Sequence, residues 1–187
     1  MYMNFKARKK SSFLWIFLTF FFLFPSCSVQ LNSVVNKDYN TENKNILILI
    51  SYDEYSKTTV ERFEEEFMLK AKNSKNKIDF CIIPPRKVSE TLSLNEQSDL
   101  AEKIKDKIAE VNADIVISIV SEHRVIVNNV LKNIRYLATG RETVENKEIW
   151  KSRIVVNPGF GTPSFMAKKM ATEFYNLLVS DGIIYQK

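Results

Sequence analysis

The sequence predicts an α/β fold: a single domain whose mixed sheet begins with a βαβαβ unit, continues into a hairpin and ends in a C-terminal helix packed on the sheet. Three observations predict it. Apolar runs of strand length at Ile46–Ile50, Ile78–Ile83 and Ala113–Val120 alternate with two stretches of helical periodicity. Two extended stretches then flank the polar turn Glu145-Asn146-Lys147, and an apolar stripe follows Thr162-Pro163. Strands alternating with helices imply parallel strands joined by right-handed crossovers.

Each element has its own signal. Ile46–Ile50 is a continuous apolar run bounded by polar residues, too short for a helix and suited to a strand buried on both faces. Thr58 and Glu61 have the spacing of a capping box. Val60, Phe63, Phe67 and Ala71 then share one helical face, with Glu61, Glu64 and Glu65 pointing away. Pro84-Pro85 stops the second strand. Ser93 and Glu96 form a second capping box before the helix bearing Leu100, Ile104, Ile108 and Val111.

The segment Arg124 to Leu137 fits either a helix through Ile126, Val130, Ile134 and Leu137 or a strand through Val125, Val127 and Leu131. Beyond it, Ile134 to Val144 and Glu148 to Asn157 read as a hairpin. Trp150, Ser152, Ile154 and Val156 are placed on one face of its second arm and Lys151 and Arg153 on the other. In the last helix Ala167, Met170, Ala171, Phe174, Leu177 and Leu178 form the apolar face. Pro163 stands at its first position and Asp181-Gly182 at its end.

The chain has 187 residues, 45% of them apolar, which suits one domain with a short extension. Its formal charge is +5, but Lys6, Arg8, Lys9 and Lys10 stand in the first 26 residues with no acidic partner. The remaining 161 residues hold 23 basic against 22 acidic side chains, a balance of +1 that gives no footprint for a nucleic acid backbone. Two cysteines cannot build a disulfide framework or a four-cysteine zinc site.

The basic stretch precedes Phe13–Phe24, twelve residues of which only Thr19 is polar. That is shorter than the ~17 residues a membrane-spanning helix needs and has the layout of a secretory signal. Pro25-Ser26-Cys27 follows. The arrangement resembles the lipobox of bacterial lipoproteins, with Leu23 one place early and Phe24 and Pro25 in place of the usual aliphatic and small residues. The resemblance implies cleavage before Cys27, a diacylglyceryl group on its thiol and acylation of its freed amine. Two or three acyl chains, at ~0.8 kcal/mol per buried CH2, anchor a protein durably. Residues 1–26 are thus expected to be a lipoprotein signal peptide and 27–44 a lipidated flexible tether. The single α/β domain is expected over 45–187. A flexible coil of the length of Ser28–Lys44 spans roughly 20 Å.

Gly140-Arg141-Glu142-Thr143, Lys147-Glu148-Ile149-Trp150-Lys151-Ser152 and the helix ending Asp181-Gly182-Ile183-Ile184 resemble small bacterial envelope lipoproteins. Their α/β domain is similar to the TolB N-terminal domain and to LpoB and CsgG. In that group a hairpin arm with an aliphatic-Trp pair follows a polar turn, and a C-terminal helix covers the sheet. Asn146 stands where the turn usually has Gly. The resemblance implies a protein that binds other envelope components without chemistry of its own.

Asp53 follows the first strand and Ser121-Glu122-His123 the third, at the carboxyl ends where parallel sheets hold ligands. Asp53, Ser121 and His123 are therefore the candidate ligand crevice. The sequence lacks a G-x-S-x-G elbow, and His123 is its single histidine, so no catalytic residue is assigned. Cys81, in an apolar strand, reads as a buried and inert thiol. Gly159-Phe160-Gly161 reads as a turn, lacking the full glycine pattern and the lysine of a phosphate loop. No metal or other cofactor is expected. The expected function is a membrane-anchored, non-enzymatic adaptor or assembly factor of the cell envelope. Its partners are the membrane, through lipid on Cys27, and an envelope protein. The absence of an acidic residue after Cys27 favours the outer membrane, by resemblance to enterobacterial sorting. The alternative is a small-molecule binding module like one lobe of a periplasmic solute-binding protein, which a helix at Arg124–Leu137 would favour, whereas a long strand there pairing with Glu148–Asn157 would favour the TolB-like reading.

Overall fold

The computed structural model describes residues 27–51, 57–83, 94–128, 130–159 and 161–187. They form one α/β domain with a six-stranded mixed sheet and three helices. In chain order these are β1 (Ser28–Val35), β2 (Ile46–Ser51), α1 (Lys57–Ala71), β3 (Ile78–Ile83), α2 (Leu94–Val111), β4 (Ile115–Val127), β5 (Val130–Glu142), β6 (Glu148–Asn157) and α3 (Pro163–Ser180). The strands lie in the order β1-β6-β5-β4-β2-β3. β2 runs parallel to both β3 and β4, whereas β4, β5, β6 and β1 pair antiparallel in turn.

The βαβαβ unit explains where the helices go. The chain moves outward from β2 to β3, then back across β2 to β4. Two crossovers of one hand in opposite directions place their helices on opposite faces. Accordingly, Val60, Phe63, Phe67 and Ala71 of α1 pack with Ile46, Ile48 and Ile50, while Ile104 and Ile108 of α2 pack with Leu47 and Leu49. This double coverage is why Ile46 to Ile50 are all buried.

α3 lies beside α1 on the first face, and the aromatic side chains interlock there. Phe67 is fully buried, with ring centroids of Phe80, Phe174 and Tyr175 at 5.4, 5.9 and 5.6 Å. The last helix starts as its residues dictate: the Thr162 side chain accepts from the Phe165 amide at 3.3 Å and Pro163 occupies the first turn. It ends at Asp181, and Gly182, at φ 69°, turns the chain so that Ile183 and Ile184 are buried. In the β5–β6 turn Asn146 adopts φ 53°, a left-handed conformation that asparagine tolerates where glycine is usual.

Gly140 stands opposite Trp150 across β5 and β6, and a Cβ on it would come within 3.3 Å of the Trp150 Cβ. The indole is buried in the space so left, edge-on to Phe174 at 5.9 Å, and its Nε1 donates to Asp181 Oδ2 at 2.7 Å. Ser152, Ile154 and Val156 are buried beside it, and Lys151 and Arg153 are exposed on the far face.

Four expectations need correction. Ser28–Val35 is not part of a coil but an edge strand paired over its whole length with β6. Val29, Leu31 and Val35 supply the reason, alternating toward the core. The following loop is also held: the Thr41 hydroxyl donates to the Gly182 carbonyl, and Asn76 Nδ2 donates to the carbonyls of Thr41 and Lys44 at 2.8 and 3.0 Å. The third strand, expected to end at Val120, continues to Val127 as β4, and β5 begins at Val130, so the segment left open between helix and strand is strand at Arg124–Val127 and Val130–Leu137. α1 begins at Lys57, which puts Thr58 inside its first turn and not at its cap. Cys81 is half-buried, on the thinner α2 side of the sheet. Ser93 lies outside the described residues.

Candidate functional site

Cys27 immediately precedes β1, at the end of the sheet where β6 finishes and α3 begins. Its exposure is 1%. Three elements hold it. Ser28 pairs with Asn157 in the ladder, and the Lys169 ammonium of α3 donates to the Cys27 carbonyl at 2.6 Å. Gly161 supplies close approach: a Cβ there would lie 3.3 Å from the Cys27 Cβ and 3.2 Å from the Phe165 ring. Burial pushes the Cys27 thiol up from its ordinary range, and the Lys169 charge opposes that rise. The raised value keeps the thiol protonated at neutral pH, which lowers its reactivity as a nucleophile.

Polar side chains continue across this end of the sheet. Asn157 Nδ2 donates to Ser28 Oγ at 3.1 Å, and Asn133 Nδ2 donates to Asn157 Oδ1 at 2.8 Å. Beyond Asn133 the β4–β5 hairpin runs on past the ends of β1 and β6, carrying Ile126 and Val127, which are 56% and 46% exposed. Phe165, in the first turn of α3, is 52% exposed. None of these residues has a local signature of function, and nothing in their sequence spacing joins them to Cys27.

Of the candidate crevice, Asp53 lies outside the described residues. Ser121 and His123 stand within β4, not in a loop after it. Ser121 pairs with Tyr136, whose side chain is buried in the core, and His123 pairs with the exposed Arg135. A bulge at Glu122 separates the two, and cross-strand partners share a face, so the pair is directed to opposite sides of the sheet. Glu122 is 3.5 Å from Arg153 in an exposed ion pair. Among the described residues no three His, Cys, Asp or Glu side chains approach one another as metal ligands do.

Two shallow cavities lie among the described residues. One of about 270 Å³ is bounded by Leu49, Ile104, Ile108, Val116, Ser118 and Thr143 under α2. The other, about 170 Å³, is bounded by Tyr39, Ile149, Asp181 and Tyr185 beside the Thr41 loop. Both are below the usual range of small-molecule pockets, roughly 300–1,000 Å³. The helix at Arg124–Leu137 that would have favoured a solute-binding lobe is absent, with strand at Arg124–Val127 and Val130–Leu137 in its place. No described helix is long and apolar enough to cross a membrane.

No protein-family model matches the chain, and no curated protein matches it. Solved structures with partial overlap include the PelC dodecamer from Paraburkholderia phytofirmans, at 9% identity and a TM-score of 0.43, over 77% of this chain and 96% of that one. Lipoprotein GNA1162 from Neisseria meningitidis overlaps at 12% identity and a TM-score of 0.40, over 73% of this chain and 99% of that one. The hypothetical protein CT253 from Chlamydia trachomatis does so at 11% identity and a TM-score of 0.38, over 75% and 97%.

Proposed function

We propose that the chain is a lipid-anchored protein of the bacterial cell envelope, acylated on Cys27, that acts without chemistry of its own as an adaptor or assembly factor for other envelope components. The observation that carries this reading is the placement of Cys27: it follows a basic, then apolar leader and stands one residue before the first strand of the domain. A lipid on that residue ties the fold itself to a bilayer. The Cys27 side chain is enclosed beside Gly161 and Phe165, so a lipid on its sulfur requires that side chain to turn outward from them in the mature protein. The outer membrane is the proposed address, since no acidic residue follows Cys27 directly. The separation of Ser121 from His123 across the sheet supports a non-catalytic role.

Mass spectrometry of the native protein tests the anchor: a mature chain beginning at Cys27 with thioether-linked diacylglycerol is the expected result. Cys27→Ala should lose incorporated labelled fatty acid and leave the membrane fraction; unchanged labelling would refute the assignment. Mild crosslinking in cells should return an envelope protein, and a specific adaptor role fails if none is recovered.

A further inference from the structure

We propose that the Cys27 end of the sheet is a membrane-docking surface, in which Ile126 and Val127 of the β4–β5 hairpin and Phe165 of α3 enter the interface of an anionic bilayer. The inference rests on the acylated Cys27 read above and adds an orientation to it. With β1 starting at Ser28, only one residue step of about 3.8 Å separates the lipid-bearing residue from the folded sheet. An anchor so short forces this end, and no other, against the headgroups.

The shape and chemistry of the end suit that position. Side-chain hydrogen bonds set Asn133, Asn157 and Ser28 level across β5, β6 and β1. β5 extends three residues beyond Asn133, to Val130, about 10 Å at the rise of a strand. Apolar segments seated in a bilayer interface reach about 5–10 Å into it. The hairpin therefore reaches the interface as soon as the acyl chains on Cys27 are inserted. The exposed Ile126, Val127 and Phe165 are the apolar groups it presents. Across residues 124–133 and 161–172 the charged side chains are Arg124, Lys132, Lys168 and Lys169, all basic. Basic side chains beside a buried apolar patch favour an anionic surface.

The opposite end of the sheet is a built-in comparison. It also exposes large apolar residues, Val34 and Val144, but around Val144 the acidic Glu142, Glu145 and Glu148 stand against Arg141, Lys147 and Lys151, so that turn offers an anionic bilayer no net attraction.

The experiment uses the full-length chain, processed in cells, purified from membranes and reconstituted into phosphatidylethanolamine–phosphatidylglycerol vesicles with or without chains brominated near the headgroup. Val127→Trp and Val144→Trp each place an indole at an exposed site, against the constant background of the buried Trp150. The expected result is a blue-shifted emission that brominated lipid quenches for Val127→Trp, and a water-like, unquenched emission for Val144→Trp. Lys132→Glu with Lys168→Glu should reduce the quenching of the first. Intact mass of the same sample reads the anchor separately. Acylated protein with equal, unquenched emission at both positions overturns the docking and leaves the anchor standing. A bare Cys27 overturns the anchor and the docking with it.

Discussion

The ammonium of Lys169 donates to the carbonyl oxygen of Cys27 at 2.6 Å, a bond that joins residues 142 positions apart in the chain. It fastens the second turn of α3 to the start of the first strand. Lys169→Met keeps the aliphatic stem and removes the donor, so it should cost about 1 kcal/mol. The loss should be local: amide exchange should quicken in Ser28–Leu31 and stay unchanged in β2 and β3. Uniform protection in the variant would show that β1 is held by its ladder alone.

Trp150 and Asp181 form the second such clamp, at 2.7 Å between the buried indole and the carboxylate after α3. Asp181→Ala leaves a buried donor unpaired and should lower stability by about 1–3 kcal/mol. Urea unfolding of Asp181→Ala, Trp150→Phe and the double variant forms a cycle in which the two losses should not add. Additive losses would mean that the bond contributes nothing of its own.

Phe67 is the centre of the aromatic cluster between α1, α3 and β3. Phe67→Ala should cost about 3–5 kcal/mol by thermal or urea unfolding, from lost burial and the cavity left behind. The neighbouring Met68, 39% exposed on the same helix, should tolerate Ala within about 0.5 kcal/mol.

Stability should fall in alkali. Burial pushes the Tyr136 phenol up from its ordinary 10.0, with the Arg124 charge opposing, and pushes the Cys81 thiol up from 9.0. Both groups are neutral when protonated and hold their protons more tightly folded than unfolded. Their contribution is complete below the ordinary values and is lost as pH rises through the raised, folded ones. The urea midpoint should therefore drop above about pH 9, and Tyr136→Phe with Cys81→Ala should flatten the decline. An undiminished decline in that variant would assign the effect to other groups.

Much of the architecture was legible from local pattern. Ile46–Ile50 announced a doubly buried strand because an unbroken apolar run leaves no face for water. Phe63 and Phe67 announced the face of α1, and Thr162, Pro163 and Gly182 the ends of α3, because caps and left-handed turns are chemistry of adjacent residues. The misses share a cause. Val29, Leu31 and Val35 carry a period of two, but set among Asn and Ser they resemble a linker until β6 is beside them. Asn128-Asn129 between Val125-Ile126-Val127 and Val130-Leu131 was a hairpin signal, masked by an equally good helical spacing through Ile126 and Val130.

The sequence by itself determined the order and type of the elements from β2 onward outside Arg124–Leu137, the inward face of each helix and the candidate lipid-bearing residue, since periodicity and capping act within a few residues. Only the tertiary structure decided that Cys27 abuts a folded edge strand, that Ser121 and His123 face apart, and that Ile126, Val127 and Phe165 gather at the same end of the sheet as Cys27. Cys27 and Lys169, 142 positions apart, are brought together by strand register and helix packing that no short window of sequence contains, and the facing of Ser121 and His123, though they are near neighbours in the chain, is set by a bulge in the pairing of β4 with β5.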